Sequence, residues 1–302
     1  MTAASYRAWG IVLALVGVIA FSVRPILIKL AYAYVTDPVT LIALRMVFSL
    51  PFFLATAVWM RLGTAGATQS ALSRRDWWAV MYLGFLGYYL ASFLDFLGLQ
   101  YISAGLGRLM LFLYPTITVL LSALFLGKYV SRRDIVALVI SYAGLALVLS
   151  QGFAGENRNL MLGALLVFGS ALSYAAYLVS SSQVVMRIGS MRFTAYATSV
   201  ASLLCILQFL LLRPLSALAL PLQVYALALA MALGCTVLPV FVTSEALRRI
   251  GANQVAIIGA AGPVTTIFLG WLGLEESMTR LQFAGAVLVL AGVSLVTIKS
   301  NK

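Results

Sequence analysis

The chain has 302 residues, 63% of them hydrophobic and only 9% charged, with no histidine. Water-soluble proteins carry roughly 25% charged residues, so most of this surface is built to face lipid. At about 20 residues per span there is room for on the order of ten helices, which excludes a large extramembrane catalytic domain. The missing histidine removes imidazole bases, histidine metal ligands and histidine pH switches.

Apolar windows predict spans near 8–30, 38–59, 77–99, 102–126, 133–150, 160–183, 192–212, 221–245, 252–273 and 281–298. The fold class expected is therefore an all-α polytopic membrane protein with ten transmembrane helices. After the first apolar run, Ala31-Tyr32-Ala33 imitates a signal-peptide cleavage site. Arg24 and Lys29 precede it, where a signal peptide is neutral, so the segment is read as a span. Cys205 and Cys235 are the only cysteines, and both sit in apolar runs as small hydrophobes. Gly127-Lys128 is followed by Tyr129 and lacks the upstream glycine of a phosphate loop, so no nucleotide-driven step and no cofactor are expected.

The net charge of +12 reads as topology. One set of ends and loops holds Arg7, Arg61, Arg74, Arg75, Lys128, Arg132, Arg133, Arg187, Arg192, Arg248, Arg249, Lys299 and Lys302. The opposite set holds only Arg158, Arg213 and Arg280. This imbalance predicts both termini on the cytoplasmic side. A nucleic-acid partner is not expected, because the charges are dealt out between spans and form no basic face.

Sliding the chain by 148 residues aligns 99–149 with 247–297 without a gap, and 14 of the 51 positions are identical. They include Pro115/Pro263, Thr118/Thr266, Arg132/Arg280 and Gly144/Gly292, which chance matching of Leu- and Ala-rich segments does not readily supply. Five spans per half is an odd number, so the second half is expected to enter the membrane inverted. The predicted halves are 1–151 and 152–302.

The stretch Leu274-Glu275-Glu276-Ser277-Met278-Thr279-Arg280-Leu281-Gln282-Phe283-Ala284-Gly285, followed by Leu290-Ala291-Gly292-Val293, resembles the EamA-type signature of the drug/metabolite transporter superfamily. In the first half Ser131 and Gly144 fit the pattern, whereas Lys128 and Ala137 depart from it, as does Phe21-Ser22-Val23-Arg24 nearer the N-terminus. The resemblance covers the whole chain. It implies a non-enzymatic inner-membrane carrier of small metabolites, most like the YddG-type exporters of aromatic and other amino acids.

Ionisable side chains inside spans are costly and need a partner or a watery cavity. Arg24, Lys29, Arg45, Asp95 and Arg108 all fall in the first four spans. Asp95 is expected to form an ion pair with one arginine, leaving positive potential for a carboxylate or phosphate. Lys29 and Arg45 are expected to snorkel to the interface. The candidate substrate-binding set is Arg24, Tyr88, Ser92, Arg108, Ser173, Tyr174, Tyr177 and Gly259. Pro115 and Pro263 are candidate hinges, each removing a backbone hydrogen bond at a matching place. The links 100–102 and 246–251 are expected to tie neighbouring spans into rocking hairpins. Glu245 is expected to pair with Arg248 and Arg249, and Glu275 and Glu276 to be solvated loop residues. The leading expectation is an amino acid or metabolite exporter, acting as a monomer in the bilayer. A sugar-phosphate or nucleotide-sugar exchanger of the same fold, or a non-transporting membrane protein, are the alternatives.

Overall fold

The structure is a computed structural model that describes residues 3–62, 72–127, 129–154, 158–276 and 278–299. Lys128, Ser277 and Lys302 lie outside the described residues. The chain runs as helices α1 (Ala3–Tyr32), α2 (Pro38–Leu62), α3 (Arg74–Gly98), α4 (Ala104–Leu126), α5 (Arg132–Ala154), α6 (Arg158–Ile188), α7 (Ser190–Leu212) and α8 (Leu222–Gly251). After these come α9, made of residues 252–259 and Gly262–Leu274, and α10 (Arg280–Lys299).

Among the described residues eight helices are long and apolar enough to cross a membrane. The two last apolar segments, Gly262–Leu274 and Arg280–Val296, are shorter. The expected link at 246–251 is not a loop. Helix α8 runs on through it until Gly251, whose φ of 78° turns the chain without a gap. Only glycine adopts that conformation without a Cβ penalty.

Helix starts follow local capping chemistry. Ser73 opens α3 by accepting the Asp76 N–H at 3.2 Å, while the Asp76 carboxylate accepts the Ser73 N–H at 3.0 Å. Ser131 and Asp134 repeat this box at α5, and Thr279 and Gln282 repeat it at α10. The Ser/Thr and Gln of the sequence signature are thus a helix start.

The 148-residue register reaches further than the sequence alignment does. The π-helical turns Phe85–Leu90 of α3 and Leu233–Val237 of α8 begin at matching positions. Helix α4 breaks after Leu111 and resumes at Tyr114, and α9 breaks after Gly259 and resumes at Gly262. Both resumed segments carry proline in their first turn and end in a left-handed residue, Gly127 at φ 61° and Glu275 at φ 54°.

Packing shows the same relation. Helix α5 lies antiparallel on α10: a Cβ at Gly144 would stand 2.7 Å from the Gly285 carbonyl, and one at Gly292 would stand 2.7 Å from that of Ala137. These two contacts are equivalent in the 148-residue register. Helix α2 lies antiparallel on α7, joined by Asp37–Arg213 at one end and by Ser202 Oγ to the Met46 sulfur at 3.4 Å. Helix α1 packs on α8 and α9, and α6 on α3 and α4. One apolar core centres on Leu109, Leu113, Val167, Val289 and Val293. A second joins Ile28, Leu41, Phe96, Leu99, Ala228 and Met231.

Candidate functional site

The charged side chains inside the bundle gather in one place. Arg24 of α1 donates from Nη2 to Asp95 Oδ2 of α3 at 2.6 Å, so Asp95 takes the arginine partner expected of it. Arg45 of α2 does not snorkel: it is 2% exposed, with its guanidinium 4.9 Å above the Phe96 ring. A helix-interior arginine reaches the interface only if its stem points outward, and here α2 turns it inward against α3. Its Nε and one Nη lack hydrogen-bond partners, as does Arg108 Nε. Three guanidinium groups therefore share one carboxylate.

Arg108 of α4 makes no ion-pair contact among the described residues, unlike Arg24. It keeps accessible surface while its Nε is buried. Its guanidinium lies against the break in α9: a Cβ at Gly262 would stand 3.2 Å from Arg108 Nη2. The charges of Arg24 and Asp95 act on it. Gly262 is fixed by α1, since Ser22 Oγ donates to the Gly262 carbonyl at 3.0 Å and Thr266 Oγ1 donates to the Ser22 carbonyl at 3.0 Å.

An aromatic ladder leads away from Arg108. Tyr114 and Tyr174 meet edge to face at 5.1 Å, Tyr174 stacks on Tyr177 at 5.6 Å, and the Tyr177 and Tyr88 hydroxyls lie 3.3 Å apart. Tyr177 is buried with Val80, Leu83 and Phe193, so its ring is part of the core. Ser173 is committed to the carbonyl of Leu86, inside the π-turn, at 2.8 Å. Ser92 is half-buried on α3, and a Cβ at Gly259 would meet nothing within 4 Å. Of the expected binding set, Arg24, Arg108 and Tyr174 come together, with Tyr177 and Tyr88 further along the ladder. Gly262, in the Gly/Ala-rich stretch 259–263 that the sequence marks as a candidate break, joins them, as do Tyr114, Ser22 and Thr266, which the sequence gives no reason to place at the site.

Glu276 is not a solvated loop residue. Its carboxylate accepts the Ala104 N–H at 2.8 Å and the Gly105 N–H at 3.2 Å, so it closes the free N-terminal turn of α4 from 172 residues away. Lys29 feels its charge, and a cavity of about 180 Å³ adjoins it, lined by Ser103, Leu106, Ile267, Met278 and Gln282. A second cavity of about 520 Å³ lies beside Asp37, Phe93, Gln100 and Gln208. Arg213 grips Asp37 there through Nε at 2.9 Å and Nη2 at 2.8 Å. Partial burial raises the Asp37 carboxyl, but the hydrogen bonds from Arg213 and Thr40 outweigh it and hold it below its ordinary value. At the opposite end Glu245 pairs with Arg248 and Arg249 at 2.6 Å each, as expected, and Arg187 pairs with Asp76.

Apolar helices of this length, with buried charge and two broken segments at their centre, define a multi-pass membrane protein. The EamA-like transporter family matches residues 8–150 and again 161–298, and the chain belongs to that family. It is 30% identical to the uncharacterized transporter YcbK of Bacillus subtilis (strain 168), over 97% of this chain and 95% of that one. A transporter of Archaeoglobus fulgidus, also uncharacterized, is 24% identical over 88% of this chain and 90% of its own. A solved crystal structure superposes with a TM-score of 0.63 and 18% identity, covering 97% of this chain and 99% of that chain, which establishes likeness of fold.

Proposed function

We propose that the protein is a secondary transporter that exports amino acids, aromatic or otherwise neutral, or related small metabolites by alternating access. In this reading residues 1–151 and 152–302 are two inverted five-helix repeats that together supply ten spans. The chain works as a monomer in the bacterial inner membrane with both termini cytoplasmic. The Glu276 end, which also holds Asp37, Gln100 and Arg213, then faces outward.

The observation that carries the reading is the internal twofold. Matching helices α5 and α10 meet antiparallel, as do α2 and α7, while π-turns and helix breaks recur 148 residues apart. Two copies of one fold, inserted oppositely around a shared centre, give two conformations by exchanging the shapes of the copies. Broken helices at membrane depth are tolerated where the freed backbone lines a binding site, and both breaks here adjoin Arg108 or its ladder. Pro115 and Pro263 sit where those breaks end and serve as hinges in this scheme.

The test is uptake of a panel of labelled amino acids into liposomes holding the purified protein, with and without a pH gradient. Saturable uptake of any neutral member is expected, and transport of none would overturn the amino acid reading. A sugar-phosphate exchanger needs several free basic groups at the centre. Asp95 occupies Arg24 and Phe96 covers Arg45, which leaves Arg108.

A further inference from the structure

We propose that Arg108 and the first turn of the helix Gly262–Leu274 form a docking site for one carboxylate, and that transported substrates carry that group. This rests on the transporter reading above and names the chemistry its site selects.

Two independent features converge there. The first is a cation with no carboxylate in ion-pair contact among the described residues. All three guanidinium groups have a buried Nε without a hydrogen-bond partner, but Arg24 is hydrogen-bonded to Asp95 through Nη2 and Arg45 is 2% exposed, whereas Arg108 has no ion-pair contact among the described residues and keeps accessible surface. An unpaired guanidinium inside a bundle is costly, and a bound anion offsets that cost. The second is a helix start without a cap. The 13-residue segment Gly262–Leu274 begins at Ala261 with no side chain accepting its first N–H groups. Such a terminus carries about half a positive charge and its N–H groups attract anions. Arg108 lies against that turn, with Nη2 3.2 Å from where a Gly262 Cβ would be. Pro263 in the first turn holds the break open there.

Asp95 engages Arg24 and Arg45 is 2% exposed, so Arg108 and one half-helix terminus are what a ligand can reach, which suits the two oxygens of a single carboxylate. The body of the ligand would lie along Tyr114 and Tyr174, whose rings meet at 5.1 Å and offer an apolar, stacking wall.

Thermal stabilisation of the detergent-purified protein by four probes tests this. Phenylacetate, phenylacetamide and phenethylamine share one aromatic body and differ in head-group charge; inorganic phosphate is the fourth. Phenylacetate is expected to raise the melting temperature at millimolar concentration, while the amide and the amine are not. Arg108→Gln should weaken the phenylacetate response about tenfold or more, because a charged hydrogen-bond partner is lost, and Arg108→Lys should keep part of it. Gly262→Ala, which leaves every charge in place but crowds Nη2, should also weaken it, so the outcome does not hang on one variant's folding.

Equal stabilisation by the amide or amine, a stronger response to phosphate, no response to phenylacetate, or an unchanged response in both variants would each overturn the inference. Uptake of labelled amino acids separates this from failure of the transporter reading. Uptake that persists in Arg108→Gln defeats the carboxylate site alone. Absence of uptake in the wild type defeats the amino acid reading and leaves the binding result to stand or fall by itself.

Discussion

Glu276→Gln isolates the closure at one end of the bundle. The carboxylate accepts the N–H groups of both Ala104 and Gly105, at 2.8 and 3.2 Å, and sits on the positive end of α4. Glutamine keeps one acceptor oxygen and loses the charge. Hydrogen bonds to a charged group contribute about 1.5–3 kcal/mol and a helix-end charge about 0.3–1 kcal/mol. Partial retention of the hydrogen bonding leaves a loss of about 1–2 kcal/mol, a factor of about 5–30 in the equilibrium between closed and open forms of this mouth. Met278→Cys supplies the readout, since Met278 lines the adjoining cavity and the native Cys205 and Cys235 are buried at 1% and 3% exposure. Maleimide labelling of the introduced thiol should accelerate by that factor when Glu276→Gln is added, with a fall of a few degrees in melting temperature. An unchanged labelling rate would show that Glu276 caps α4 without holding the mouth shut, and the gating argument would fail.

Glu275→Gly should stabilise the protein by about 1 kcal/mol, because Glu275 occupies the left-handed region at φ 54° where its repeat mate is glycine; melting temperature should rise by a few degrees. Gly144→Ala should destabilise by about 1–3 kcal/mol, since the new Cβ would meet the Gly285 carbonyl at 2.7 Å with backbone on both sides, and a raised melting temperature would contradict the packing described. Asp37 has a depressed pKa, so its pairing with Arg213 stabilises above the ordinary carboxyl value of 3.8 and that contribution fades as pH falls below it. Asp37→Asn should therefore melt earlier at neutral pH yet show a smaller acid-induced decline than the wild type. Pro115→Ala with Pro263→Ala should slow turnover more than it weakens binding, as measured by uptake rate against thermal stabilisation; equal turnover would make the prolines packing features.

Span positions were readable from hydropathy because lipid exposure is a property of whole windows, and Asp95 declared its need of a cation by its solitude among apolar residues. Partners far apart in the chain were not readable. Glu276 looks like any loop acid in sequence, and only the folded chain brings Ala104 and Gly105 to it. Arg45 has the spacing of a snorkelling residue, but which face of α2 meets Phe96 depends on how α3 packs. The π-turns leave no readable mark, since spans that are apolar on nearly every face have little periodicity for an inserted residue to shift. Ser73-x-x-Asp76 and Thr279-x-x-Gln282 did carry a local signal, because a hydroxyl followed three residues later by an acid or amide is the chemistry of a helix start.

The π-turns date the molecule. A π-turn arises when a residue is inserted into an α-helix, and insertions at the same register in two separate lineages are improbable. Those at Phe85 and Leu233 begin 148 residues apart, in step with the breaks before Tyr114 and Gly262. Both irregularities therefore belonged to the ancestral half before it was copied. Features that differ between the halves, Arg108 among them, mark where the copies diverged afterwards, and they give a symmetric framework a direction.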